Sequence, residues 1–214
     1  MKVSNKFTLA RLIFAPVFFL IYSIPVWTKN PTAAFISALI MIPLLAVVQM
    51  TDYWDGHYAR KNGEVSDFGK LFDPFADVML NLTAFVCAMN SFDSKMNSYM
   101  PALFFILIMY REFSQSFLRM LATKQGVAIA ARKGGKIKTV FYIISTFFML
   151  TAESAIRLGL VSFISEKTGI ETGVFYGWFR SVIYSLYFIC VLLSYVSFFD
   201  YIKSFKSIFK DVGL

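Results

Sequence analysis

Long apolar stretches separated by short polar breaks run along most of this 214-residue chain. A helix needs about 20 largely apolar residues to cross a hydrocarbon core of about 30 Å, and six stretches reach that length. They cover roughly residues 8–27, 32–52, 72–92, 99–120, 138–160 and 178–200. Turn-forming or charged segments, such as Lys29-Asn30-Pro31 and Asp93-Ser94-Lys95, lie between them. The pattern predicts an all-α integral membrane protein, a bundle of six transmembrane helices in which residues 1–214 form a single domain.

Composition supports this class of protein. Hydrophobic residues make up 57% of the chain, whereas about 45–50% is usual in soluble domains. Cys87 and Cys190 both fall within predicted spans, so we expect packing residues and no disulfide. His57 is the only histidine, which excludes a metal site built from histidines.

The basic residues are distributed unevenly between the two sides of the predicted bundle. With the N-terminus inside, 16 lysines and arginines fall on the cytoplasmic side and 5 on the other. The five are Lys29, Lys95, Arg157, Lys167 and Arg180. Because short cytoplasmic loops carry the excess of basic residues, both termini are predicted to be cytoplasmic. This topology, together with attraction to anionic lipid headgroups, accounts for the net charge of +8, and we expect no nucleic-acid binding.

One stretch, DYWDGHYARKNGEVSDFGKLFDPFAD, concentrates carboxylates where the second span ends and the third begins. Asp52 and Asp55 are three residues apart and Asp73 and Asp77 four apart, so each pair shares one helical face. Four carboxylates at a membrane boundary repel one another and are costly there. Hard divalent cations take oxygen ligands, and paired ions support phosphoryl chemistry. The stretch therefore predicts a metal site on the cytoplasmic side.

Small residues and an arginine lie among these carboxylates. Gly56, Ala59 and Gly69 leave room for a ligand to approach the backbone closely. Arg60 offers a guanidinium fork that suits phosphate. The combination predicts a diphosphate or nucleotide bound against two helices.

The whole stretch resembles the signature of the CDP-alcohol phosphatidyltransferase family, D-x-x-D-G-x-x-A-R-x(8)-G-x(3)-D-x(3)-D. Every fixed position is filled, by Asp52, Asp55, Gly56, Ala59, Arg60, Gly69, Asp73 and Asp77. The resemblance implies six helices and a reaction in which an alcohol attacks the β-phosphate of a CDP-linked lipid and expels CMP. It further implies that the four aspartates hold two Mg²⁺ or Mn²⁺ ions and that Asp77 is the general base. Gly56, Ala59, Arg60, Ser66 and Gly69 would bind the CDP moiety.

Three weaker motifs resemble those of phosphatidylglycerophosphate synthases within that family. They are Asn5, Thr8 and Arg11 in the opening segment, Arg111 and Arg119 near the end of the fourth span, and Lys136 and Lys138 at the start of the fifth. The four later cations would receive the phosphate of glycerol 3-phosphate. Val78 stands where these synthases commonly have lysine, so inositol phosphate, serine or choline remains an alternative acceptor.

The sequence thus predicts an enzyme that joins CDP-diacylglycerol to glycerol 3-phosphate and gives phosphatidylglycerophosphate and CMP. The resemblance implies a homodimer, surrounded by membrane lipids and expected in the bacterial inner membrane. The distribution of basic residues predicts that its active site faces the cytoplasm. A cation transporter that uses intramembrane carboxylates is the alternative of another class.

Overall fold

The computed structural model describes the backbone of residues 3–61, 67–124 and 133–205, and side chains within residues 8–50, 72–123 and 134–205. Over these residues the chain is helical and forms no strand. The helices are α1 (Val3–Thr28), α2 (Pro31–Lys61), α3 (Asp67–Ala88), α4 (Ala102–Lys124), α5 (Lys133–Arg157), α6 (Leu160–Thr168) and α7 (Thr172–Ser204). The predicted all-α class is confirmed.

Each of the six predicted spans overlaps one long helix. Within the described residues, four segments are long and apolar enough to cross a membrane: Thr8–Thr28, Pro31–Met50, Gly134–Arg157 and Thr172–Ser204. Helix α4 differs from them because it carries Arg111, Glu112 and Arg119 along its length. The apolar helices indicate an integral membrane protein, and the count of six spans stays a prediction.

The short helix α6 was not predicted. It has 9 residues, which is too few to span a bilayer. Gly159 and Gly169 flank it with φ of 70° and 71°, in the left-handed region that glycine adopts without a steric penalty. These two glycines end α5 and α6, and α7 then begins at Thr172, earlier than the predicted start near 178.

One part of the buried core lies where α3, α5 and α7 meet. The ring of Phe85 on α3 packs edge-on against Tyr142 of α5, with centroids 5.0 Å apart, and against Tyr187 of α7, at 5.4 Å. The same core extends into α1 and α2: α1 packs against α2 and α3, and α4 packs against α3 and α7. Large apolar side chains such as Leu39 and Phe199 are exposed on the outer faces, as expected for helices surrounded by lipid.

Hydrogen bonds tie the helices together at both ends of the bundle. At one end, Arg11 of α1 forms an ion pair with Asp77 of α3. At the opposite end, Arg157 of α5 donates to the backbone carbonyl of Tyr22 in α1. We call these the Asp77 end and the Glu153 end, after the carboxylates at their centres.

Candidate active site

Two aspartates of the predicted motif lie side by side on α3. Asp73 and Asp77 project from one helical face, and their side chains are 42% and 40% exposed. Helix α1 supplies their partners: the Thr8 hydroxyl donates to Asp73, and Arg11 donates to Asp77. Nη2 of Arg11 also lies 3.6 Å from Oδ1 of Asp73. The fold therefore joins two predicted segments that are 65 and 66 positions apart along the chain.

A buried carboxylate, Glu112, holds donors from α4 and α5 close to this pair. Its Oε1 accepts hydrogen bonds from Lys138 Nζ at 2.6 Å, from Arg111 Nη1 at 2.9 Å and from the Tyr142 hydroxyl at 2.9 Å. Burying ions is costly unless the geometry is good and further hydrogen bonds are made. The tyrosine hydroxyl supplies such a bond, so Glu112 fixes the position of the Lys138 ammonium group.

A cavity of about 170 Å³ opens between α3, α4, α5 and α7 at the Asp77 end. Four predicted site residues line it: Asp77, Arg119, Lys136 and Lys138. The remaining lining residues are Pro74, Val78, Asn81, Leu82, Glu112, Gln115, Gly135, Thr139, Tyr142, Ser197 and Tyr201. The cavity therefore brings the proposed general base together with three of the four cations expected to receive a phosphate.

The cations around the cavity differ in their environments. Lys138 is buried against Glu112, whereas Lys136 is exposed. Arg119 is partly buried, and its Nε has no hydrogen-bond partner in the part of the chain that the structure describes. A buried donor without a partner is rare. Arg119 thus presents a guanidinium edge that can bind an anion entering the cavity.

Arg111 is placed differently from the other three. Its Nε donates to the backbone carbonyl of Ser194 at 2.9 Å, and its Nη2 donates to the Ser197 hydroxyl at 3.3 Å. It is 2% exposed and is absent from the described cavity lining. Arg111 therefore supports Glu112 and α7, and its direct contact with the acceptor phosphate stays a prediction.

Comparison with known proteins identifies the family. A family model for CDP-alcohol phosphatidyltransferases matches residues 1–175. The chain belongs to that family.

Several curated relatives carry the name CDP-diacylglycerol--glycerol-3-phosphate 3-phosphatidyltransferase. The protein of that name from Treponema pallidum is 36% identical over 99% of this chain and 93% of its own length. The one from Bacillus subtilis is 34% identical over 83% of this chain and 92% of its own length. That from Rickettsia typhi is 31% identical, over 74% and 77% respectively. An enzyme of the phosphatidyltransferase class, acting in phospholipid biosynthesis, is therefore established, which disfavours the cation-transporter alternative.

Several residues of the family signature fall outside the described side chains. Helix α2 continues to Lys61, so Asp52 and Asp55 lie one turn apart on one helix, and Gly69 belongs to the first turn of α3. The predicted roles of Asn5, Asp52, Asp55, Gly56, Ala59, Arg60, Ser66 and Gly69 stay predictions.

The described residues supply only part of a site for the divalent ions expected in this family. Within the described ranges, no group of three or more His, Cys, Asp or Glu side chains is placed so that it could hold a metal ion. Asp73 and Asp77 nevertheless present carboxylate oxygens on one face and already engage a cation, the Arg11 guanidinium. Hard oxygen ligands of this kind suit Mg²⁺ and Mn²⁺. The pair fits half of the four-aspartate site expected for a phosphatidyltransferase.

The structure adds residues that sequence reasoning missed. Glu112, Asn81, Gln115 and Tyr142 line the cavity, and none was a candidate. A helical spacing signal was present, since Asn81 follows Asp77 by four positions and Tyr142 follows Lys138 by four. Their burial around one cavity, however, depends on how three helices pack.

Proposed function

We propose that this phosphatidyltransferase transfers the phosphatidyl group of CDP-diacylglycerol to glycerol 3-phosphate, giving phosphatidylglycerophosphate and CMP. The observation that carries the proposal is the 170 Å³ cavity, in which the Asp77 carboxylate faces the same space as Arg119, Lys136 and Lys138. Relatives with 31–36% identity carry names that state this reaction.

The acceptor phosphate binds to the cations of α4 and α5. Glycerol 3-phosphate is a small dianion, and charge-assisted hydrogen bonds to phosphate are among the stronger polar contacts. Arg119 offers a buried donor without a described partner, and Lys138 is held rigidly by Glu112 at 2.6 Å. Lys136, which is exposed, lies at the entrance and draws the anion in.

The attacking hydroxyl lies at Asp77. With the phosphate at the cations, the far end of the acceptor points across the cavity toward α3. Asp77 accepts the hydroxyl proton as the oxygen forms a bond to the β-phosphorus of the lipid, and the bond from that phosphorus to the oxygen of CMP breaks. Holding both ends of the acceptor in one cavity supplies the orientation on which such a displacement depends.

Asp52, Asp55, Asp73 and Asp77 would hold two divalent ions, Mg²⁺ or Mn²⁺. When bound, these ions offset negative charge on the diphosphate and on the departing CMP. Gly56, Ala59, Arg60, Ser66 and Gly69 would bind the CDP moiety beside them. In the opening segment, Thr8 and Arg11 hold Asp73 and Asp77 in place. Asn5 would contribute to the same role.

We further propose that the protein lies in the bacterial inner membrane with the Asp77 end at the cytoplasm and both termini inside. The positions of described cations support this orientation. Lys29 donates to the carbonyl of Phe92, and Arg180 to the carbonyl of Lys95. Lys29, Lys95 and Arg180 were all predicted to lie outside, and they lie near Arg157 at the Glu153 end. We also propose that the protein forms a homodimer, and this part of the proposal rests on the family resemblance alone.

The test is release of CMP by purified protein with CDP-diacylglycerol, Mg²⁺ and a panel of labelled acceptors. Glycerol 3-phosphate should support turnover, whereas inositol phosphate, serine and choline should not. Asp77→Asn should lower the rate at least about 100-fold, the usual contribution of a general base. Addition of EDTA should abolish turnover, and Mg²⁺ or Mn²⁺ should restore it.

Other outcomes would separate the alternatives. Turnover with inositol phosphate or serine, and none with glycerol 3-phosphate, would refute the acceptor assignment and leave the family reaction intact. A rate that is unchanged in Asp77→Asn would remove the base from the mechanism.

A further inference from the structure

Gln115 has an unusual position in the cavity wall. It lies on α4 between two residues already assigned to the site, three positions after Glu112 and four before Arg119, so all three share one helical face. The residue is 7% exposed and lines the cavity. Its Oε1 has no hydrogen-bond partner among the residues the structure describes.

A buried amide oxygen without a partner calls for an explanation, because burying a polar group costs free energy unless it is hydrogen-bonded. Neighbouring polar groups are paired: the Glu112 carboxylate holds three donors, and Asn81 Nδ2 donates to the backbone carbonyl of Asp77 at 2.8 Å. Gln115 is the exception on this face, together with Nε of Arg119. Gln115 Oε1 thus lacks a donor and Arg119 Nε lacks an acceptor among the described residues, and both residues line the same cavity.

We propose that Gln115 determines acceptor specificity by accepting a hydrogen bond from the hydroxyl of the acceptor that does not react. The inference rests on the proposed function. In glycerol 3-phosphate the phosphate belongs at the cations and the terminal hydroxyl at Asp77, which leaves the middle hydroxyl without an assigned partner. Gln115 lines the same cavity as Asp77 and these cations, and its Oε1 supplies the acceptor that this hydroxyl requires.

The consequence is selection against acceptors that lack the middle hydroxyl. An analogue without it leaves the Gln115 amide buried and unpaired in the complex, and a site built to bind a hydroxyl rejects such analogues strongly. The analogue 3-hydroxypropyl phosphate keeps the phosphate and the terminal hydroxyl and lacks only this group. Comparing it with glycerol 3-phosphate isolates one hydrogen bond.

The experiment measures kcat/KM for both acceptors with the full-length protein in CDP-diacylglycerol micelles. The wild type should prefer glycerol 3-phosphate by about 10- to 100-fold. Gln115→Leu, which is close in volume, should bring this ratio to about 1 while retaining turnover of 3-hydroxypropyl phosphate. Gln115→Asn keeps the amide on a shorter side chain and should give an intermediate ratio.

Ser114→Leu is the matched control, because Ser114 precedes Gln115 on the same helix and is exposed. It should keep the wild-type ratio. An equal loss on both acceptors in Gln115→Leu, or an unchanged ratio, would overturn the inference and leave the proposed function standing. If the wild type turned over neither acceptor but used another alcohol, the proposed function would fail as well, so the two failures are distinguishable.

Discussion

Two buried glutamates, one at each end of the bundle, meet their partners in different ways. At one end, Oε1 of Glu153 accepts from Arg157 Nε at 2.8 Å and from the backbone amide of Phe92 at 2.9 Å. Its Oε2 accepts from the Ser91 hydroxyl at 2.8 Å and from the Tyr99 hydroxyl at 2.7 Å. Glu153 is fully buried, and both of its oxygens are shared between two donors. At the other end, Glu112 concentrates three donors on Oε1 at the wall of a cavity.

The surroundings extend the difference. The Arg157 guanidinium also donates to the Ser37 hydroxyl at 2.6 Å and to the carbonyl of Tyr22 at 3.0 Å, so the Glu153 cluster ties α1, α2 and α5 to the loop after α3. Beside Glu112, by contrast, Gln115 and Arg119 each keep a polar atom without a described partner. The first cluster is complete within the described residues, whereas the second leaves two polar atoms that, in the proposed function, a ligand would bind.

The comparison shows that a buried charge does not by itself mark a functional site. Buried ion pairs often serve the fold, and the Glu153 cluster has the satisfied hydrogen bonds expected of that role. What distinguishes the Glu112 cluster is incomplete pairing next to open space and next to Asp77. Five substitutions, with two control variants, test this distinction.

Glu153→Gln should have the largest effect on stability. The change removes the charge opposite a fully buried Arg157 and spoils at least one of four hydrogen bonds. Leaving one partner of a buried pair uncompensated typically costs about 3–5 kcal/mol. The free energy of unfolding in mixed micelles should fall by about that amount, while the acceptor KM of the protein that remains folded should stay at the wild-type value.

Glu166→Gln provides the control, since Glu166 is an exposed glutamate on α6 and the chemical change is identical. It should leave stability unchanged. A Glu153→Gln protein as stable as wild type would show that the cluster does not hold this end together.

Parts of this picture were predictable from the sequence alone. Hydropathy predicted the long helices, and the fixed spacing of the aspartates predicted the family before any fold was known. The pair Glu153 and Arg157 could also be read as an i, i+4 contact. The full set of hydrogen bonds in the cluster could not be predicted, because Ser37 and Tyr99 lie 120 and 54 positions away along the chain from their partners.

The acceptor cavity was predictable only in part. The basic motifs predicted Arg119, Lys136 and Lys138 as a group, and the structure brings them to one cavity with Asp77. Arg111 belonged to the same predicted group and lies instead among Glu112, Ser194 and Ser197. Motif spacing does not say which side of α4 faces the cavity, because that depends on its packing against α3 and α7.

Glu112→Gln is the matching change at the other end and should act on kinetics. With the neutral amide, Lys138 loses the negative charge of its 2.6 Å partner and shifts from its position in the cavity. A displacement of about 1 Å in a positioning group can cost about 100-fold in rate, so kcat/KM for glycerol 3-phosphate should fall by about that factor. The KM for CDP-diacylglycerol should change little.

The two glutamate variants should also differ in how strongly they lower the free energy of unfolding. Glu112→Gln should destabilise the fold less than Glu153→Gln does, because Lys138 lines the open cavity, where water can solvate its ammonium group. If Glu112→Gln instead unfolded the protein as strongly while leaving the acceptor KM unchanged, both clusters would be structural and the distinction would fail.

Arg119→Ala should raise the acceptor KM by about 10-fold, the loss expected for one charge-assisted hydrogen bond. The lipid KM should stay constant, since Arg119 faces the acceptor cavity. Lys203→Ala is the control: Lys203 is an exposed cation near the end of α7 and does not line the described cavity. Equal increases in the acceptor KM for both variants would indicate general electrostatic attraction rather than a phosphate contact.

The smallest expected effects come from two tyrosines that make the same hydrogen bond at opposite ends. Tyr99 donates to Glu153 at 2.7 Å and Tyr142 to Glu112 at 2.9 Å, and replacement by Phe removes only the hydroxyl. Tyr99→Phe should cost about 1 kcal/mol of unfolding free energy and leave the acceptor KM unchanged. Tyr142→Phe should cost no more in stability. It should nevertheless raise the acceptor KM about 3-fold, which corresponds to half the free energy of one such hydrogen bond, because Glu112 then holds Lys138 less firmly. Indistinguishable KM values for the two variants would mean that Glu112 does not position the acceptor cations, even if Arg119 binds the phosphate.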